Sequence, residues 1–327
     1  MDEKTKALCE DFIINRNTVR RVFGGESILV YPVAANAITA AGARADIAKL
    51  KESKKIIRRH ASLFAYQKGH VTTPFAANLS LKEDIKAHFD QVAKLYKLCK
   101  KRFSRSDDNT LLAVMLADYV PEEKWEEVLD RGKTLYEILR RDHAVLTNDQ
   151  DSVLCGLLAL SVKNNSELLE DLEKCYDLLN IKFSGKSSIQ TVSYVLALTE
   201  DSAREKVEHM IELYDSLKEK KKKYGTGGEL AALAAASILD HDIDRLCERI
   251  LSIDEFLSKQ KGYGFLGLGK KPRLMHAAML TTDLYDSAQE AAATASAASV
   301  AMAAAQQLAI FIIIATALVP ASDAGAD

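Results

Sequence analysis

The glycine-rich stretch at residues 262–271, GYGFLGLGKK, has the residue types that most resemble a phosphate-binding loop. Its glycines satisfy the pattern GxGxxG, and Lys270 follows Gly269 as a phosphate-binding lysine would. A phosphate loop also needs a preceding strand and a Ser or Thr after the lysine, whereas Lys271 and Pro272 follow here. The stretch therefore favours a glycine-rich turn between repeats, and GTGG at residues 225–228 is interpreted in the same way.

The densest group of possible metal or acid–base residues is Asp240, His241 and Asp242. The seven histidines show no HExxH motif and no i, i+4 pair, and the aspartates suit helix capping in a turn. The sequence predicts no catalytic residue, no metal ligand and no cofactor.

Five cysteines are spread along the chain without a CxxC pair, which favours a reducing compartment. The first residues, MDEKTKALCEDF, lack the apolar run of a secretory signal and the features of a transit peptide. We therefore expect a cytoplasmic protein.

Basic residues are concentrated at the C-terminal ends of the amphipathic segments. The N-terminal ends are acidic, for example at Glu122, Glu123, Glu126 and Glu127. In stacked helical repeats such ends fall on one edge, which predicts a basic ridge. Compensation of helix dipoles is the favoured explanation, although four consecutive lysines exceed what one helix end needs. The predicted ridge, which would contact an acidic partner, comprises Lys100, Lys101, Arg102, Arg105, Arg140, Arg141, Lys220, Lys221, Lys222, Lys223, Lys270, Lys271 and Arg273.

The composition of the chain indicates which kind of secondary structure positions these residues. The 327 residues include 48% hydrophobic residues but few prolines and glycines, which favours an all-α protein. Lys and Arg number 44 against 46 Asp and Glu, so the net charge of −2 excludes polyanion binding by bulk charge alone.

A repeat of about 40 residues organises the chain. Tyr96, Tyr136, Tyr176 and Tyr214 follow one another at steps of 40, 40 and 38 residues, each in an amphipathic segment preceded by a short apolar one. Because such a helical pair cannot bury its apolar face alone, we predict a right-handed α-solenoid of tandem helical hairpins over residues 1–286. The tyrosines are predicted to be core residues.

The C-terminal part differs in composition, with no charged residue from position 291 to position 322. We predict alanine-rich apolar helices at residues 287–320 that pack on the last repeats, and a disordered tail at residues 321–327. The alternatives are a membrane anchor at residues 291–319 and a homodimer surface.

Four runs carry a resemblance to a known family: LVYPVAANAITAAG, KKIIRRHASLFAYQKG, LYKLCKKRFSRSDDNTLLAVMLA and GFLGLGKKPRLMHAAML. Together with the alanine-rich end, they resemble a bacterial family known as a domain of unknown function. The resemblance covers nearly the whole chain and implies an all-helical cytoplasmic protein, without any activity or catalytic residue.

These observations predict a non-enzymatic scaffold or adaptor that holds another protein. A nucleic-acid backbone is a less favoured partner. Two alternatives stay open: a helical enzyme or small-ligand protein with its site in the concave groove, and a membrane-associated scaffold.

Overall fold

The computed structural model describes residues 1–60, 64, 69–103, 108–142, 151–240, 242–264 and 267–289. These residues form 14 α-helices and one short 3-10 helix, without a strand, so the predicted all-α class is confirmed. The predictions for Arg105, His241 and residues 290–327 lie outside the described residues. The last described helix continues past the predicted boundary at residue 286 to Gln289.

The helices alternate between two kinds along the chain. The amphipathic ones are α1 (Glu3–Val22), α3 (Ile47–Arg59), α5 (Ile85–Arg102), α7 (Trp125–Asp142), α9 (Asn165–Lys182), α11 (Ala203–Glu219) and α13 (Ile243–Ser258). The apolar ones are α2 (Val30–Ala40), α4 (Gly69–Ser80), α6 (Asp108–Tyr119), α8 (Asp151–Leu158), α10 (Lys186–Ala197), α12 (Glu229–Ser237) and α14 (Lys270–Gln289). A 3-10 turn (Glu122–Lys124) precedes α7.

Residue spacing explains this difference between the two kinds of helix. In α5, Phe89, Val92, Tyr96 and Cys99 recur every three or four residues, and all four are buried. In α12, every residue from Leu230 to Ser237 is buried, so this helix has no solvent-facing side along that length. The amphipathic helices therefore form an outer layer, and the apolar helices form an inner one.

Each outer helix packs more extensively against the inner helix that follows it than against the one that precedes it. The two helices run antiparallel: Asn15 of α1 donates to Thr39 near the end of α2, whereas Tyr31 near its start donates to Phe23 O. The glycine-rich stretches at 225–228 and 262–269 therefore join the two helices of one hairpin. The prediction that they lie between repeats is wrong in this respect.

The first hairpin packs against the last one. Helix α1 contacts α13, and α2 contacts α14. Arg16 Nη2 donates to Lys261 O over 2.8 Å, and Asn36 Nδ2 donates to Asp283 Oδ1 over 3.3 Å. An open solenoid leaves its terminal repeats apart. The described hairpins instead close into a ring, so the predicted right-handed α-solenoid of 40-residue repeats is not confirmed.

Polar contacts also join the hairpins in the middle of the ring. Arg131 of α7 donates through Nε to Asn165 Oδ1 at the start of α9 over 3.0 Å. Through Nη1 it also donates to Ala159 O and Ser161 O, just beyond the end of α8, over 3.0 and 2.7 Å. Two of the repeat tyrosines, Tyr96 and Tyr136, are buried, whereas Tyr176 and Tyr214 are half-buried and pack against the core.

A candidate anion-binding face

The outer helices run parallel to one another, which places their C-terminal ends on one face of the ring. Asp11 of α1 accepts from Arg44 just before α3, and Val22, at the end of α1, accepts from Lys54 further along α3. In the same order, Asp171 and Lys182 of α9 pair with Lys206 and Asp215 of α11.

Basic residues end six of the seven described outer helices, α1 to α11. We call this end of the ring the basic face. It is defined by Arg20, Arg21, Arg58, Arg59, Lys100, Lys101, Arg102, Arg140, Arg141, Lys182 and Lys218, with the neighbouring Lys220–Lys223, Lys270, Lys271 and Arg273. Acidic first-turn residues such as Glu126, Glu167 and Glu205 lie at the other ends of the same helices. The ring therefore separates charge along its axis despite a net charge of −2.

The predicted ridge residues differ in accessibility. Of the thirteen, Arg105 is outside the described residues. Nine are exposed: Lys100, Lys101, Arg140, Arg141, Lys220, Lys221, Lys223, Lys270 and Lys271. Arg102, Lys222 and Arg273 are half-buried and form ion pairs within the molecule.

These three ion pairs have structural roles. Arg102 of α5 pairs with Asp130 of α7 over 2.7 Å. Lys222 and Arg273 both pair with Asp254, a fully buried carboxylate of α13, over 2.7 and 2.6 Å. Because a buried carboxylate is costly without partners, these two cations stabilise α13 rather than serve an external anion.

Sequence reasoning missed the contribution of α3 to the basic face. Lys51, Lys54, Lys55, Arg58 and Arg59 line a shallow surface groove of about 350 Å³. The segment KKIIRR contains four of these five residues, but the basic ridge predicted from the sequence does not include it. Its charge density is the signal that could have revealed the groove.

Lys54 is held in place at the inner side of this groove. Its Nζ donates to Val22 O over 2.8 Å and lies 4.6 Å from the centroid of the Phe23 ring. Burial lowers the pKa of the Lys54 ammonium, with Arg58 contributing in the same direction. Burial raises the pKa of the nearby Glu26 carboxyl, whereas a hydrogen bond from Thr73 and the charges of Lys54 and Arg58 oppose this shift.

The N-termini of the inner helices lie on the same face, because each inner helix is antiparallel to its outer partner. Side chains cap six outer helices at the opposite face, from Asp2 at α1 to Asp242 at α13. The N-cap residues of the inner helices α2, α10 and α12 make no such hydrogen bond. Uncapped N–H groups carry partial positive charge, which adds to the attraction of this face for anions.

The glycine-rich stretch between α13 and α14 also belongs to this face but lacks the elements of a phosphate loop. A helix precedes it, and Gly262 and Gly269 have φ values of 95° and 80°, which only glycine adopts readily. The stretch GTGG is the corresponding loop between α11 and α12. Asp242 caps α13 by accepting from Arg245 N, and Asp240 pairs with the Arg245 side chain.

The described residues show neither a cluster of metal ligands nor an activated cysteine. They contain no group of three or more potential metal ligands. All five cysteines are buried, and burial raises the pKa of the Cys9, Cys99 and Cys175 thiols to about 12. Thiols that hold their protons so strongly are poor nucleophiles. No described helix is long and apolar enough to cross a bilayer.

Comparison with known proteins identifies the family. The family described as "Protein of unknown function (DUF4003)" matches residues 25–317. The chain belongs to the DUF4003 family. The match begins after α1 and includes every inner helix from α2 to α14, and thus most of the basic face. No curated protein and no solved structure matches this DUF4003 chain.

Proposed function

We propose that this DUF4003 protein is a non-enzymatic adaptor of the cytoplasm that binds an acidic surface of another protein through its basic face. The observation that supports the proposal is the convergence of exposed Lys and Arg side chains at the ends of successive outer helices. Nine of the cations predicted from the sequence are exposed there, and α1, α3 and α9 add others.

Electrostatics favours a protein partner over a nucleic acid. Domains that bind nucleic acids through their charge commonly have a pI above about 9, whereas this chain has a pI near 6.4. Its acidic opposite face would repel a long polyanion that extends beyond the basic face. A compact acidic protein surface would contact the basic face alone and would be oriented by the charge separation.

The test uses the immobilised full-length protein, extracts of its own cells and mass spectrometry at low and high salt. The basic-face variant reverses Lys220, Lys221 and Lys223 to Glu, because these three lysines are exposed. The matched control reverses Lys4, Lys6 and Lys124, which are exposed at the acidic face. We expect a partner with an acidic surface that the basic-face variant retains about tenfold less well, while the control retains it.

Two results would contradict this proposal. One is a stoichiometric partner whose retention depends neither on salt nor on the basic-face reversal. The other is an equal loss of the partner with both variants, which would show sensitivity to net charge rather than to this face.

A further inference from the structure

Helix α3 presents a continuous stripe of positive charge. Lys51, Lys54, Lys55, Arg58 and Arg59 occupy positions i, i+3, i+4, i+7 and i+8, which lie on one face of a helix. These five side chains line the groove of about 350 Å³. We call them the α3 stripe.

The α3 stripe has no ion-pair partner within the described part of the chain, although the Glu26 carboxyl attracts Lys54 and Arg58 from beyond ion-pair distance. No ion pair within 4 Å involves any of its five residues there, and Glu52 is the only acidic residue in α3. Other outer helices have such partners: Lys94 of α5 contacts Glu122, and Lys182 of α9 contacts Asp215. Like charges at i, i+4 destabilise a helix. Interaction with the helix dipole favours cations only in the last turn of a helix. It therefore does not explain Lys51, which lies near the start of α3.

The geometry of the stripe points to a ligand with regularly spaced negative charges. Its cations form three levels, at Lys51, at Lys54 with Lys55, and at Arg58 with Arg59. Successive levels are about 5 Å apart along the helix, close to the helical pitch. A partner helix with Asp or Glu every three or four residues repeats its carboxylates at the same pitch.

We propose that the α3 stripe binds an acidic α-helix of a partner protein. This inference rests on the proposed function and specifies both the surface and the form of the partner. Lys54, anchored to Val22 O and the Phe23 ring, holds the middle level in place before binding. Bidentate pairing of Arg58 and Arg59 with carboxylates would add orientation at the end of the helix.

Other polyanions fit the stripe less well. Proteins that bind single-stranded nucleic acids stack bases on exposed aromatic side chains. The exposed large hydrophobic residues of the described chain are Met1, Ile14, Ile28, Val162 and Ile181, none of them aromatic. A helix that lies on a membrane inserts an apolar face. The apolar residues Leu50 and Ile57 of α3 are instead fully buried in the protein core.

The test measures binding of a fluorescent synthetic peptide to the full-length protein by anisotropy at low salt. The striped peptide is a helix of Ala, Gln and Glu with Glu at every third or fourth position. A peptide of equal composition distributes its Glu residues around the helix. The stripe variant changes Lys51, Lys55, Arg58 and Arg59 to Gln and leaves the anchored Lys54. The control variant changes Lys218, Lys220, Lys221 and Lys223, which are exposed on the same face, to Gln.

We expect the wild type to prefer the striped peptide, and the stripe variant to lose about tenfold in affinity together with this preference. The control variant neutralises its lysines and, unlike their reversal to Glu, adds no repulsion, so it should lose only two- to threefold, as expected for long-range attraction. Equal binding of the two peptides, or tighter binding of a DNA duplex or of phosphatidylserine vesicles, would overturn the inference.

The variants also separate this inference from the proposed function. If only the control variant loses affinity, the basic face binds acidic proteins but α3 is not the docking site. If neither variant changes binding, the inference and the proposed function both fail. Circular dichroism of each variant verifies that the helices remain folded.

Discussion

At the scale of single residues, buried polar groups connect helices that are far apart in sequence. His276 of α14 is buried, and its Nδ1 lies 2.8 Å from the Tyr263 hydroxyl. The Arg16 guanidinium lies 5.1 Å from the centroid of the same tyrosine ring and donates to Lys261 O. The cluster therefore joins α1, α14 and the loop before α14, at the junction between the first and last hairpins.

His276 should make the stability of the protein depend on pH. Burial, with a smaller contribution from Arg16, lowers the pKa of His276 from 6.5 to about 3. The unfolded chain therefore binds a proton below pH 6.5 that the folded chain takes up only near pH 3. This residue destabilises the fold progressively as pH falls between these values, by about 2 kcal/mol from pH 7 to pH 5.

Urea unfolding at pH 7 and pH 5 tests this expectation. The variant His276→Asn lacks the titrating group. The difference in free energy of unfolding between this variant and the wild type should therefore be about 2 kcal/mol smaller at pH 5 than at pH 7. Tyr263→Phe is the control, because it removes the hydroxyl contact and keeps the histidine. If His276→Asn lowers the free energy of unfolding equally at both pH values, protonation of His276 is not coupled to unfolding.

At the scale of helices, two glycines allow α8 to pack closely against its neighbours α7 and α6. A Cβ added at Gly132 would lie 2.9 Å from the Cα of Gly156, and one added at Gly156 would lie 2.7 Å from Leu112 Cδ2. Neither distance is compatible with an unmoved backbone or side chain. Gly132 therefore allows α7 to approach α8, and Gly156 allows α8 to pack against Leu112 of α6; neither has a positive φ.

Gly132→Ala should destabilise the protein although alanine is the better helix former. Propensity alone predicts a gain of up to about 1 kcal/mol. The contact with Gly156 forces α7 and α8 apart, for which we expect a net loss of about 1–3 kcal/mol. Thr134→Ala, on the exposed side of the same helix, should change the free energy of unfolding by less than about 0.5 kcal/mol. Thermal or urea unfolding of both variants measures the difference, and a more stable Gly132→Ala would refute the close packing.

At the scale of the whole molecule, closure makes the first and last hairpins neighbours. Stability in an open repeat protein is a sum of contacts between adjacent repeats, and its ends unfold independently. Contacts of α1 with α13 and of α2 with α14 remove the free ends from the described ring. We expect the hairpins at this junction to open together.

Arg16→Leu tests closure because Arg16 contacts both hairpins at the junction. Its loss leaves Lys261 O without this donor and should destabilise the protein by about 2 kcal/mol. Hydrogen exchange monitored by mass spectrometry should become faster in both α1 and the 259–264 loop, with little change in α7. Arg20→Leu, at an exposed position one turn later in α1, is the control. Faster exchange confined to α1 would indicate an open arrangement.

The sequence by itself determined the helices and much of the charge pattern. Buried residues such as Phe89, Val92 and Tyr96 recur in the sequence with the period of a helix. The basic last turns are visible as consecutive Lys and Arg residues. Both are local properties, because helix formation and dipole compensation depend on residues within a few turns. The alternation of amphipathic and apolar segments was accessible for the same reason.

Only the tertiary structure decided that the hairpins close into a ring and which cations stay accessible. Closure depends on small rotations that accumulate from hairpin to hairpin, and no single segment contains that sum. It brings Arg16 to Lys261, which is 245 residues away in the chain. Packing likewise places Asp254 in ion pairs with Lys222 and Arg273, whereas no described carboxylate forms an ion pair with the α3 stripe. Ion pairing between distant residues is set by packing, so a list of lysines and arginines alone could not separate structural cations from accessible ones.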